Sequence, residues 1–420
     1  MGARTENRDI VIIGAGIVGI AIAACLAEEG RSVLVVDRQG ICEGTSAGNA
    51  GALAFSDILP MASKGVMAKV PGWLLDPLGP FAIRPAHLPA LLPWLYRFWR
   101  ASRAEALERT MQAQAAMMRL AEPEMLDLMR RAGLRGMVRE DGSLELYESE
   151  DDLNAARPGW RARRSAGIDF THLRGDALAE CQPGLAPRFV AGTFVPGWKT
   201  VGDPQQVGKG LWDHAARLGA EFLPGEAVSI AARPSGATME LADGRSIAAA
   251  RIIVAAGAWS HRLAKGLGDT IPLETERGYN TTLPLGAFDL KRQLIFSGHG
   301  FVVTPLTTGI RIGGAVELGG LALPPNFKRS EAMLHKARQF MPGLDGAGGR
   351  QWMGYRPSLP DSLPVIGYAR TTKNVLYAFG HGHLGLTQSA ATGRLVSDLV
   401  GGRKPSIAID PFRPQRFQES

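Results

Sequence analysis

The stretch from Asp9 to Asp37, DIVIIGAGIVGIAIAACLAEEGRSVLVVD, constrains the fold more than any other part of the chain. It holds a short apolar run, three glycines at GxGxxG spacing (Gly14, Gly16, Gly19), a long apolar segment that Gly30 can stop, and a second apolar run ending on Asp37. This order predicts a strand over 9–13, a helix over 17–29 and a strand over 32–36, a complete βαβ unit. In such a unit Gly14 makes the tight turn, Gly16 admits a pyrophosphate to the backbone, and Gly19 lets helix and strand pack closely. The helix N-terminus offers unpaired N–H groups and the positive end of its dipole to phosphates. Asp37 lies 18 residues beyond Gly19, where an acid can accept hydrogen bonds from a ribose. The unit does not distinguish NAD from FAD; the acid disfavours only NADP. The apolar run from Ile10 to Ala27 could pass for a membrane span or a signal peptide, but its glycines, Glu28, Glu29 and the strand that follows argue against both.

A chain of 420 residues with 45% hydrophobic and 21% charged residues can bury a core for two closely packed domains. Cys25, Cys42 and Cys181 are odd in number and widely spaced, which suggests neither a disulfide framework nor a zinc site and fits a cytoplasmic location. The formal charge of +7 is dispersed along the sequence, and no nucleic-acid-binding pattern is present, so no nucleic acid is expected as a partner.

Thr45–Gly51, TSAGNAG, reads either as a backbone able to approach a flat ligand or as a flexible loop. The proline-rich segment 71–103 contains Trp73, Trp94 and Trp99, and its prolines exclude one long helix. Within it Leu91–Trp99 reads as an amphipathic helix for a membrane interface, flanked by Arg97, Arg100 and Arg103, or equally for core packing. Residues 104–132 predict a helix interrupted at Pro123, with Met111, Met117, Met118 and Met125 filling core. A strand is expected near 142, a helix and then a strand from Asp203, and a buried strand at 251–255 that ends on Ala256, Gly257, Ala258 and Trp259. Two β-rich stretches at 270–284 and 300–318 suggest an inserted antiparallel sheet. The expected class is therefore α/β, a Rossmann-type nucleotide domain (1–60, 190–270 and 350–420) with an inserted α+β substrate domain (61–189 and 271–349) containing an antiparallel sheet.

GxGxxG spacing recurs at Gly380, Gly382 and Gly385, between a strand at 374–379 and a helix at 384–400, with no second strand and acid after it. A second dinucleotide is thus not expected. The segment can still aim backbone N–H groups and a helix dipole at an electron-rich ring. Upstream, Arg356 precedes Pro357 in GYRPSLPDSLPVIG, expected as a rigid turn, and suits either bidentate capture of a carboxylate or a structural pairing with Asp361.

VIIGAGIVGIAIAACLAEEGRSVLVVDR, TSAGNAGAL, VAAGAWS, GYRPSLPDSLPVIG and FGHGHLGLTQSAATGRLVSDL stand in one order from residue 9 to about 400. In these motifs the chain resembles the D-amino-acid oxidase superfamily of FAD-dependent amine oxidoreductases, in particular the D-amino-acid dehydrogenase small-subunit type. The resemblance implies noncovalent FAD, since no cysteine follows Cys181 to tether it. It places Gly14, Gly16, Ile17, Val18, Gly19, Asp37, Arg38 and Val228 at the ADP half. Ser46, Asn49, Gly51, Ala52, Gly257 and Trp259 would lie on the path to the ring, and Gly380, His381, Gly382, His383, Leu384, Gly385 and Thr387 around the ring. Arg356 occupies the carboxylate-binding position, and Tyr279 and Arg277 lie near the substrate. His383 departs from the type, where many members carry a smaller residue; no metal is expected.

The activity so implied is oxidative deamination of D-amino acids to imino and 2-oxo acids by hydride transfer from Cα to flavin N5, with a quinone or another electron acceptor. Secondary amines such as D-proline, cis-4-hydroxy-D-proline, sarcosine or opine-type compounds are the alternative, to be decided near Tyr279, Phe301 and Trp352. The Trp-rich segment leans toward a peripheral position on the inner face of the membrane, and relatives of this type sometimes work with additional subunits.

Overall fold

The computed structural model describes residues 7–62, 68, 70–76 and 78–418, without the side chains of residues 73 and 74, so Trp73 lies outside the described side chains. Among these residues one sheet has eight strands, a second has nine and a third has three.

The first sheet grows from the βαβ unit. Strand Asn7–Ile13 pairs in parallel with Val33–Asp37 on one side and with Ser246–Val254 on the other. Glu221–Pro224 and Val375–Phe379 extend the parallel set at its two sides. Alternation assigns each residue to a face: Ile10, Ile12, Val35 and Ile253 join one buried cluster, while Val11, Ile13, Val36 and Val254 join another. A parallel sheet covered on both faces explains why these strands read as unbroken apolar runs. Helices Ile17–Glu28, Pro204–Arg217 and Gly385–Val400 contribute buried side chains to the first cluster. The first and last of them approach closely because Gly393 lacks a side chain; a Cβ there would sit 2.7 Å from Cys25 Sγ and 3.0 Å from Ala21 O.

Ala104–Arg131 is a single helix, so Pro123 does not interrupt it. Arg119, whose carbonyl loses its partner, and Pro123 itself are both on the exposed side, where water can replace the missing bond. Met117 and Met125 enter the first sheet's core and Met118 a neighbouring cluster, whereas Met111 is only half-buried. This helix packs on Gly385–Val400, so a segment assigned by sequence to the substrate domain covers the nucleotide sheet.

The second sheet crosses Arg350–Ser358, Glu274–Leu283, Gly309–Leu318, Phe301–Leu306, Gln293–Phe296, Ser143–Tyr147, Ala191–Val195 and Thr171–Leu173. Most of its pairs are antiparallel, but Gln293–Phe296 with Ser143–Tyr147, and Phe81–Ile83 with Gly309–Leu318, are parallel. Strands Ala191–Val195 and Arg350–Ser358 belong to this sheet, so the boundaries expected at 190 and 350 each fall one strand away from the change of sheet. Composition does not mark either point, because only pairing decides which sheet a strand joins.

Leu88–Ala101 is a helix whose Leu91, Trp94, Leu95 and Phe98 are buried. Trp94 therefore serves the core, while Leu92, Tyr96 and Trp99 face outward, with Arg103 over the Trp99 ring at 4.6 Å. No helix among the described residues is long and apolar enough to cross a membrane. The Ile10–Ala27 run is instead divided between a strand, a glycine turn and a 12-residue helix.

Candidate active site

One cavity of about 650 Å³ runs from the first glycine turn, past Thr45–Ala52 and Ala255–Trp259, to the second glycine turn and the inner face of the second sheet.

At its first end Gly14 has φ +113°, and a Cβ there would lie 2.4 Å from Ala255 O. A Cβ on Gly19 would lie 1.9 Å from Gly14 O, so the close packing expected of this glycine is between helix and turn. Asp37 Oδ2 accepts the Ala15 N–H at 2.8 Å and Oδ1 accepts the Gln39 N–H, so the acid holds the turn as well as lining the cavity. Ser46 Oγ accepts the Ile17 N–H at 3.0 Å, which ties TSAGNAG to the helix N-terminus. The same segment is held by Arg311, which donates to the Ala47 and Asn49 carbonyls, and by Asn280, which donates to Gly48 O. It is a fixed wall, not a loose loop. Ile17, Val18, Asn49, Ala52, Gly257 and Val228 line the cavity, as does Arg38, which pairs with Glu226 and lies 4.1 Å from the Trp259 ring centre. Gly51 does not line it: with φ +73° it makes the turn whose carbonyl accepts the Val201 N–H.

The second glycine turn is a strand–turn–helix, with Gly380 at φ +89°, Gly382 at φ +54° and the helix starting at Gly385. Gly380–Thr387 all border the cavity. His381 is buried and bonded to Thr392 Oγ1 at 2.9 Å, and burial lowers its pKa to about 3, so its ring is neutral. Thr387 Oγ1 accepts the Ala54 N–H and donates to Ala52 O, joining this turn to the wall opposite.

Arg356 lies near the end of strand Arg350–Ser358, not in a turn. Its Nη1 donates to Ala315 O at 3.2 Å and its Nη2 lies 3.4 Å from Gly314 O. Asp361 instead pairs with Arg416. Among the described residues no carboxylate forms an ion pair with Arg356, and its guanidinium lies over Gly278, where a Cβ would come within 2.5 Å of it. Burial lowers its pKa and Glu276 acts against that, which leaves a guanidinium still cationic at working pH.

On strand Glu274–Leu283 the residues facing this side are even-numbered: Glu276, Gly278 and Asn280 pair with Arg356, Gly354 and Trp352. Arg277, expected near the substrate, therefore points the other way. It is fully buried, bridged to Glu317 Oε1 at 2.7 Å and bonded to Leu323 O. Tyr279 touches the cavity wall, but its hydroxyl donates to Glu317 Oε1 and accepts the Asn326 N–H. Phe301 also lies on the far face, stacked on Phe296, and Val302 takes its place in the cavity. A one-residue slip in register exchanges faces along a whole strand, and sequence gives no register.

One row across the sheet, Glu145, Ile295, Val302, Gly313, Asn280 and Trp352, faces the cavity. Asp57, Trp160, Arg163, Trp198 and Gln293 complete this wall. Sequence reasoning missed Asp57, Glu145, Arg163 and Gln293, which belong to no motif and meet only through the fold.

Residues 9–399 match the family model described as FAD dependent oxidoreductase (DAO). The chain belongs to that family. It is 36% identical to a D-amino-acid oxidase of Bradyrhizobium diazoefficiens over 419 residues, covering 98% of this chain and 99% of the relative. It is 31% identical to a D-amino acid dehydrogenase of Rhizobium rhizogenes, covering 97% and 99%. Glycine oxidase from Geobacillus kaustophilus superposes with a TM-score of 0.75 at 23% identity, covering 98% of this chain and 99% of that one. L-proline dehydrogenase from P. horikoshii gives 0.74 at 20%, covering 99% and 98%. At that identity both show the fold alone. This FAD-dependent oxidoreductase has a cavity that fits its cofactor: glycines line both of its ends, and two helix N-termini border the space.

Proposed function

We propose that this oxidoreductase oxidises the Cα–N bond of D-amino acids, giving an imino acid that water converts to a 2-oxo acid. The observation that carries the reading is Arg356, a guanidinium fixed by two backbone carbonyls, with no ion-paired carboxylate among the described residues, beside the second glycine turn. A carboxylate binds such a group through paired charge-assisted hydrogen bonds. FAD, when bound, supplies the two-electron acceptor for the hydrogen leaving Cα.

The protein's own part is placement. Arg356 holds the carboxylate, Gly278 leaves room for the guanidinium, and Trp352, packed where Gly48 and Gly354 carry no Cβ, walls the substrate against TSAGNAG. Orientation of this kind supplies much of an enzyme's rate advantage. The relatives named D-amino-acid oxidase and D-amino acid dehydrogenase support the substrate class and its stereochemistry.

For the electrons we propose a quinone, on the ground that Leu92, Tyr96 and Trp99 stand exposed on one helix beside Arg100 and Arg103. Reoxidation of the reduced protein by a soluble quinone and by oxygen, compared side by side, decides the acceptor.

The test of the reaction is an anaerobic titration of the flavin spectrum with D-alanine, L-alanine, D-proline, cis-4-hydroxy-D-proline and sarcosine. Bleaching by D-alanine and not by L-alanine is expected. Bleaching by the secondary amines alone would move the substrate to that class, and no bleaching by any of the five would remove the reading.

A further inference from the structure

A cofactor-holding role does not explain the surroundings of His383 in the second glycine turn. Its Nε2 lies 3.0 Å from Asp57 Oδ2, a carboxylate 326 positions earlier in the chain. Asp57 in turn has Arg163 at 3.8 Å. Burial alone would lower the pKa of His383, but the hydrogen bond and charge of Asp57, with Glu276 adding and Arg356 opposing, raise it above the ordinary imidazole value. Burial would likewise raise the pKa of Asp57, and His383 and Arg163 together lower it. The carboxylate accepts Nε2–H, so the neutral ring carries its lone pair on Nδ1, for which the described residues provide no hydrogen-bond partner.

The turn that carries His383 is fastened to the strand that carries Arg356. Gly382 N–H donates to Pro357 O at 2.8 Å, and His381 and Ser358 form a β-bridge. An amino acid bears its carboxylate and amine on one carbon, so a base for the amine must stand close to the carboxylate clamp. Here the two are held on adjoining backbones.

His383 also borders a second, small void of about 20 Å³ behind the main cavity. Trp94 Nε1, Glu276 Oε2 and Ser358 Oγ are buried without hydrogen-bond partners, and their residues line that void. Its lining is mostly apolar, but its size and these three unpartnered polar atoms suit a single water.

We propose that His383, oriented by Asp57, is the base that removes a proton from the substrate's ammonium group. In the step one N–H bond of the ammonium breaks and an Nδ1–H bond forms. The amine keeps the electron pair, and the imidazolium is stabilised by the Asp57 carboxylate. The freed lone pair is what the carbon needs to release its hydrogen as hydride. The inference rests on the function proposed above.

Two measurements test it on the FAD-loaded protein. The first is an NMR titration of the His383 ring, without substrate, in the wild type and in Asp57→Asn. A ring pKa above 6.5 that falls in the variant supports the proposal, and a ring that titrates identically in both overturns it. The second is the rate of anaerobic flavin reduction by D-alanine against pH, for the wild type, Asp57→Asn and His383→Gln, each first shown to retain its flavin absorbance. His383→Gln is expected to lose about 100-fold near pH 7, with the loss shrinking as the free amine deprotonates on its own. A His383→Gln profile parallel to the wild type overturns the proposal while leaving the function intact. If no amine reduces the wild type, the function itself has failed, and the ring titration still reports whether the Asp57–His383 pair exists.

Discussion

Single residues fix the chemistry of this site. Arg356 is expected to be needed for binding more than for folding: Arg356→Ala should lower kcat/KM by about 100-fold or more while the flavin spectrum stays unchanged. Gly278→Ala tests the same contact from below, because the new Cβ would lie 2.5 Å from the guanidinium. A raised KM with retained FAD is the expected result. Asp57 and His383 give a pH signature. Asp57, with its pKa lowered in the fold, contributes stability above its ordinary 3.8 that is lost as pH falls through the folded value. His383, with its pKa raised, contributes stability below 6.5 that is lost as pH rises through the folded value. Thermal unfolding of the two single variants and the double variant should therefore show their coupling most fully between pH 3.8 and 6.5, fading on either side.

At the scale of elements the two glycine turns and the register of one strand matter most. Gly19→Ala would drive a Cβ to 1.9 Å from Gly14 O, so loss of FAD binding is expected even if the chain folds, read by the absorbance of the purified protein. The first turn was legible in sequence because it is local: strand, glycines, helix, strand and acid lie within 29 consecutive residues, and the second turn likewise places its own strand and helix. Strand Glu274–Leu283 was recognisable as a strand, but its facing was not. Arg277 falls on the far side of it, and Tyr279, although it touches the cavity wall, sends its hydroxyl to the same Glu317. Glu317→Gln would leave Arg277 as an uncompensated buried charge and should cost about 3–5 kcal/mol, measured by denaturant unfolding. The same parity removes Phe301 from the cavity and admits Val302.

Over the whole molecule, the main cavity is where chain segments distant in sequence meet, with walls from residues 13–57, 143–163, 195–198, 225–263, 278–314 and 352–387. A ligand that binds only such an assembled site stabilises the fold by mass action. FAD at 100 times its Kd is thus expected to add about 2.7 kcal/mol, visible as a rise in unfolding temperature on adding FAD to the apoprotein. The sequence by itself determined the βαβ unit and the reuse of its spacing near the C-terminus, because backbone turns and apolar periodicity are short-range properties. Only the tertiary structure decided that Arg356 is met by carbonyls and not by Asp361, that Arg277 is sealed away, and that Asp57 reaches His383. Those outcomes depend on strand register and on which distant segments pack together, and neither leaves a local pattern in the chain.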